Sequence, residues 1–139
     1  MSENGLVIDT HVWLWLEADP DRLGEPARAR IEQAARAGKL WVSVMSAWEI
    51  GMLVAKDRIR LSMPVDEWVR QASATPGMQM LGVIPEIALE STRLPDAPHG
   101  DPVDRLLMAS ARLHNLTLVT ADEKILAYAG QGHLKALKA

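Results

Sequence analysis

The stretch "GLVIDTHVWLW", residues 5–15, sets a strand, a charge and the start of a helix side by side. Leu6, Val7 and Ile8 read as a short buried strand, and Asp9 stands where the next inward-facing side chain would be. Aspartate is among the poorest strand formers and is almost never fully buried unless paired. The apolar residues Val12, Trp13, Leu14, Trp15 and Leu16 follow at once and predict a helix from Thr10 to about Ala18, stopped by "ADPDRLG". A carboxylate at the inner end of a core strand asks for companions, and the rest of the chain has to supply them.

Working outward, strand-like and helix-like segments alternate. Pro26 opens a second helix through "ARARIEQAARAG", with Gly38 as its C-terminal cap. "LWVSVM" (40–45) predicts a second strand, followed by the helices "SAWEIGMLVAKD" and "VDEWVRQASA". "MQMLGVI" (78–84) predicts a third strand and "PEIALESTRL" a helix, with "PDAPHG" as a loop. "DPVDRLLMASARLHN" reads as a long helix, "LTLVT" (116–120) as a fourth strand and "ADEKILAYAG" as a last helix. The closing "GHLKALKA" is compatible with an edge strand or with loose chain. Strands that are continuous apolar runs, separated by helices, predict a three-layer α/β/α domain over residues 1–139. Its sheet is expected to be mostly parallel, with four or five strands.

Composition excludes several classes. Of 139 residues, 48% are hydrophobic and 24% charged, the balance of a globular protein rather than a disordered chain. A net charge of −3 gives no bulk electrostatic grip on nucleic acid, so any such contact needs a local patch. The absence of cysteine removes disulfides and thiolate metal sites. "MSENGLVI" lacks the flank of a signal peptide, and no apolar run approaches the ~18 residues of a membrane span, so a cytoplasmic protein without membrane attachment is expected.

In open α/β sheets ligands bind beyond the carboxyl ends of the strands, where strand order reverses. Asp9 ends the first strand, Glu49 follows the second, Asp122 follows the fourth, and Asp104 lies in the first turn of the helix leading to that fourth strand, with Asp101 one turn earlier. Each acid has a plain structural reading beside the functional one. "Ser46-Ala-Trp-Glu49" has the form of a capping box, Asp101 before Pro102 is a good N-cap, Asp104 favours the helix dipole, and Asp122 can cap the last helix. Taken together the balance changes, because carboxylates ~4 Å apart repel by about 4 kcal/mol per pair at an effective dielectric near 20. Such a group either protonates in part or needs a cation. Oxygen ligands without cysteine or paired histidines select Mg²⁺ or Mn²⁺, ions suited to phosphate chemistry. Ser43, Ser46 and Thr120 offer hydroxyls, but no histidine or lysine base stands beside them in sequence for a nucleophilic triad.

"IDTHVWLW", "SAWEI", "DPVDRLLMASA" and "LTLVTAD" together resemble the successive acidic motifs of PIN-domain ribonucleases, above all the VapC-type toxins of bacterial toxin–antitoxin modules. The likeness runs from Leu6 to about Tyr128 and implies a PIN-like fold. It places the family's acidic, metal-binding and catalytic positions on Asp9, Glu49, Asp104 and Asp122, with Thr120 at the hydroxyl position before the last acid and with Asp101 and Ser46 as accessory candidates. It further implies Mg²⁺- or Mn²⁺-dependent hydrolysis of RNA, a homodimer and inhibition by a cognate antitoxin. Arg105, Lys124 and the helix end "KDRIR" with Lys56 and Arg58 are the cations available to RNA, and His11 and His99 lie near the acids in sequence. Trp13, Trp15, Trp48 and Trp68 read mainly as core at helical spacing; Met45, Trp48 and Met52, if exposed, would suit a helix-in-groove partner. The rival readings are a metal-dependent phosphohydrolase of another class, with Asp9 as nucleophile, and a PIN-like binding domain without nuclease activity. The first rival lacks the second acid of a D-x-D-x-T motif, since the chain reads Asp9-Thr10-His11.

Overall fold

The computed structural model describes residues 5–96, 98 and 100–139. Five strands form one parallel sheet in the order β3-β2-β1-β4-β5. They are β1 (Leu6–Ile8), β2 (Leu40–Ser43), β3 (Met78–Leu81), β4 (Thr117–Thr120) and β5 (Lys135–Lys138). The helices are α1 (Thr10–Ala18), α2 (Glu25–Arg36), α3 (Val44–Ala55), α4 (Val65–Ser73), α5 (Pro85–Ser91), α6 (Pro102–His114) and α7 (Glu123–Gly130). The closing segment, which its sequence left open, is strand β5, paired with β4 from Thr117↔Lys135 to Thr120↔Lys138.

Alternation along β1 divides the core. Leu6 and Ile8 face a layer formed with Val12 and Trp13 of α1, Ile31 of α2, Ile50 of α3 and Trp68 of α4, in which the Trp13 and Trp68 rings meet edge to face at 5.3 Å. Val7 faces the other layer, with Ile87 of α5, Leu107 and Met108 of α6 and Ile125 of α7. At its centre the sheet is buried on both faces, as the apolar runs of β1, β2 and β4 require, while the edge strands β3 and β5 are partly exposed. Helix α2 ends at Arg36 with Ala37 as its C-cap, one residue before the expected Gly38, which instead takes φ +70° just past the cap while its N–H bonds the Ala35 carbonyl and the N–H of Lys39 bonds that of Ala34, closing the helix in a left-handed turn.

Two further local readings are corrected. Strand β2 stops at Ser43 rather than continuing to Met45, because the Ser43 hydroxyl accepts the Met45 N–H at 3.0 Å and starts α3 there. Ser46 is therefore no N-cap, and the capping box with Glu49 does not form; Glu49 lies in the second turn of α3. Trp48 is not core but 54% exposed. A wide apolar helix such as α3 cannot bury its whole circumference against one sheet face, and Trp48 lies on the side turned away. Among the described residues no helix is long and apolar enough to cross a membrane.

Candidate active site

The chain visits β1, β2 and β3 in one direction and then crosses to β4 on the other side of β1. Strand order reverses between β1 and β4, where Ile8 pairs with Val119 and the Asp9 N–H donates to the Val119 carbonyl at 3.1 Å. The crevice of an α/β sheet opens at such a point, and a cavity of about 320 Å³ does so here. Asp9, Glu49, Asp101, Asp104 and Asp122 line it, with Thr10 and His11 at its wall.

Asp9 is held from two sides. One carboxylate oxygen accepts the Val12 N–H at 2.9 Å, capping α1, and the other accepts the Thr120 hydroxyl at 2.5 Å. The Thr120 oxygen in turn accepts the Asp122 N–H at 3.0 Å, so one buried hydroxyl joins the ends of both strands. Burial raises the Asp9 pKa, and the Thr120 and Val12 hydrogen bonds oppose that rise. Asp122 caps α7 through one oxygen, which accepts the N–H groups of Lys124 at 2.8 Å and Ile125 at 3.1 Å. Asp101 caps α6 by accepting the Asp104 N–H at 3.1 Å. Glu49, among the described residues, makes no hydrogen bond or ion pair and faces the cavity unsupported.

Asp104 records the electrostatics of the whole group. Its carboxyl is pushed up to about 7, first by burial and then by the charges of Asp101, Asp122, Glu49 and Asp9. Five acids thus line one space. Among the described residues, no three acids or histidines are already closed into a metal-ligand cluster. The donor set is all oxygen and strongly negative, which fits a hard divalent cation that keeps part of its water rather than an all-protein cage.

The model of the PIN domain family matches residues 6–131, spanning every element that contributes to this cavity. The chain belongs to the PIN-domain family. This PIN domain is 35% identical over 120 residues to "Ribonuclease VapC22" of Mycobacterium tuberculosis (strain ATCC 25618 / H37Rv), a match covering 86% of the chain and 88% of the relative. In fold it is similar to a chain of VapBC2 from Rickettsia felis bound to a DNA fragment from their promoter, with TM-score 0.70 and 13% identity over 96% of this chain and 97% of that one. A toxin-antitoxin complex from Klebsiella pneumoniae is similar with TM-score 0.57 and 22% identity, over 88% and 91% of the two chains.

Asp9, Glu49, Asp104 and Asp122 of the PIN domain meet at one cavity, with Asp101 at the same wall and Thr120 behind Asp9. Ser46 is fully buried and accepts the Thr10 hydroxyl at 2.9 Å, tying the first turn of α1 to the first turn of α3. Thr10 is the residue the sequence did not single out; a threonine directly after the strand-ending acid is its only mark. Arg105 is used structurally, donating to the carbonyls of Ser91 at 2.8 Å and Pro98 at 2.9 Å, and so fastens the loop before α6. Lys124, Lys56 and Arg58 are exposed, and Lys56 and Arg58 stand beside Glu49 and Asp101 in a second groove. His99 lies outside the described residues.

Proposed function

We propose that this PIN domain is a divalent-metal-dependent endoribonuclease and the toxin of a toxin–antitoxin pair, working in the cytoplasm as a homodimer. The observation that carries the reading is the convergence of Asp9, Glu49, Asp101, Asp104 and Asp122 on one cavity at the strand-order switch, where burial first and then the four neighbouring carboxylates raise the Asp104 pKa. Such an arrangement is costly unless a cation occupies it. The 35% identity to a ribonuclease supports RNA as the substrate, and the likeness to toxin-antitoxin complexes supports an antitoxin as the partner.

Asp9, Glu49, Asp104 and Asp122 are the residues to hold Mg²⁺ or Mn²⁺. When bound, such an ion supplies charge stabilisation at a phosphoryl oxygen and a water acidic enough to attack the phosphodiester. Asp9 and Asp122 are oriented by Thr120 and by their capping bonds, so they present fixed charge without reorganising. Glu49 enters from α3 and Asp104 from the start of α6, so that acids from both helical layers meet the phosphate. Asp104, whose carboxyl burial and the neighbouring acids push up to about 7 without an ion, is the acid whose ionised form a bound cation would favour most.

Incubation of the protein with labelled single-stranded RNA in EDTA, Mg²⁺ or Mn²⁺ tests the reading. Cleavage is expected only with the ion, and full-rate cleavage in chelator overturns the metal mechanism. No cleavage under any of these conditions, by protein freed of its antitoxin, overturns the nuclease reading.

A further inference from the structure

A second groove, about 340 Å³ in volume, runs from the acidic cavity along α3. The two are continuous, because Glu49 and Asp101 line both. Its floor is apolar: Met45, Trp48 and Met52 of α3 face Pro102 and Val103 at the start of α6. Lys56 and Arg58 close the far end, about 10 Å from Glu49 along the helix axis. Among the described residues neither cation has an ion-pair partner, whereas neighbouring Arg60 reaches Asp57 at 3.9 Å. Trp48, 54% exposed, lines the same groove beside Glu49.

We infer that this groove is the subsite for the single-stranded RNA flanking the cleaved bond, with a base stacked on Trp48 and backbone phosphate held by Lys56 and Arg58. The inference rests on the nuclease reading above. Charge order favours RNA: a strand whose phosphate sits among the acids must continue into a channel, and this one ends in the two cations that a following phosphate needs. A flat exposed indole in the same groove supplies what a nucleobase binds, since every base has a face to stack and aromatic platforms serve single strands without demanding a sequence. An acidic cavity repels RNA at its centre, so the grip has to come from its flank. Lys56 and Arg58, exposed and without an ion-pair partner among the described residues, supply that grip.

The test is the affinity of the full chain for a short, fluorescently labelled single-stranded RNA of mixed sequence, read by anisotropy in Mg²⁺ in the Asp104→Asn background, together with KM for the same RNA in the otherwise wild-type protein. Trp48→Ala is expected to raise Kd and KM about tenfold with little change in kcat, while Trp48→Phe, which keeps an aromatic face, stays within about threefold of the parent. Lys56→Ala with Arg58→Ala is expected to flatten the dependence of log Kd on log salt by about 1 to 1.5, the contribution of two phosphate contacts on a single strand. Thermal melts of each variant establish that it is folded; Trp48 is exposed and its loss opens no core cavity. RNA cleaved by the wild type but bound equally well by all three variants overturns the subsite while leaving the nuclease reading intact. Equal losses in Trp48→Ala and Trp48→Phe overturn stacking. RNA neither bound nor cleaved by the wild type overturns both readings at once. Unchanged RNA affinity combined with lost capture of the antitoxin by Trp48→Ala assigns the groove to a protein helix and overturns the proposal.

Discussion

Asp104 and Asp101 sit one helical turn apart and do different work. Asp101 spends an oxygen on the cap of α6, whereas Asp104 carries the combined repulsion of the cavity. Asparagine caps helices about as well as aspartate, so Asp101→Asn is expected to leave the fold intact and to weaken RNA cleavage by a modest factor. Asp104→Asn is expected to abolish cleavage and also to stabilise the ion-free protein at neutral pH. Its folded-state pKa near 7 lies above the ordinary 3.8 of the unfolded chain. The stability it contributes is therefore fully present below about pH 4 and is lost as pH rises through about 7. Melts in EDTA between pH 5 and 8 should show the wild type losing stability toward pH 8 and Asp104→Asn losing less. A full loss of cleavage in Asp101→Asn with normal rates in Asp104→Asn would reverse the two assignments.

At the scale of elements, the start of α3 decides how Glu49 is to be understood. The cap is Ser43, whose hydroxyl accepts the Met45 N–H, and Glu49 lies beyond the first turn without any hydrogen bond among the described residues. Cap and ligand are thus separable by mutation. Ser43→Ala is expected to destabilise the protein by about 1 kcal/mol. Glu49→Gln is expected to melt at or slightly above the wild-type temperature, since it removes one of the repelling charges, and to lose most RNA cleavage. Denaturant melts beside cleavage assays check both, and a Glu49→Gln variant that cleaves RNA normally removes Glu49 from the metal site. The same helix presents Trp48 to solvent, and a sequence reading based on helical spacing places it in the core. Periodicity identifies an apolar face, but α3 is apolar nearly all round, and only its packing beside α1, α4 and α6 determines which arc stays exposed.

For the whole molecule, the proposed metal site predicts that divalent cations stabilise the fold. A ligand that binds only the folded state raises stability by RT ln(1 + [L]/Kd), or about 2.7 kcal/mol at a hundredfold excess over Kd. Millimolar Mg²⁺ or Mn²⁺ is expected to raise Tm by several degrees in the wild type and hardly at all in Asp9→Asn, as read by scanning calorimetry; equal shifts in both would place the ion elsewhere. How much of this was legible beforehand follows from the range of the forces involved. The alternation of apolar strands with helices is a local property of neighbouring residues, and it determined the parallel α/β architecture, the helix end beside Gly38, the Asp101 and Asp122 caps and the candidacy of Asp9, Glu49, Asp104 and Asp122. Tertiary structure alone decided that β4 lies beside β1, that the Thr120 hydroxyl bridges Asp9 and Asp122, that Thr10 bonds Ser46, and that Arg105 holds a loop. The Arg105–Ser91, Thr10–Ser46 and Thr120–Asp9 bonds join residues 14, 36 and 111 positions apart. No pattern along the chain encodes them; they come into being only when the sheet brings distant strand ends and helix starts within hydrogen-bonding reach.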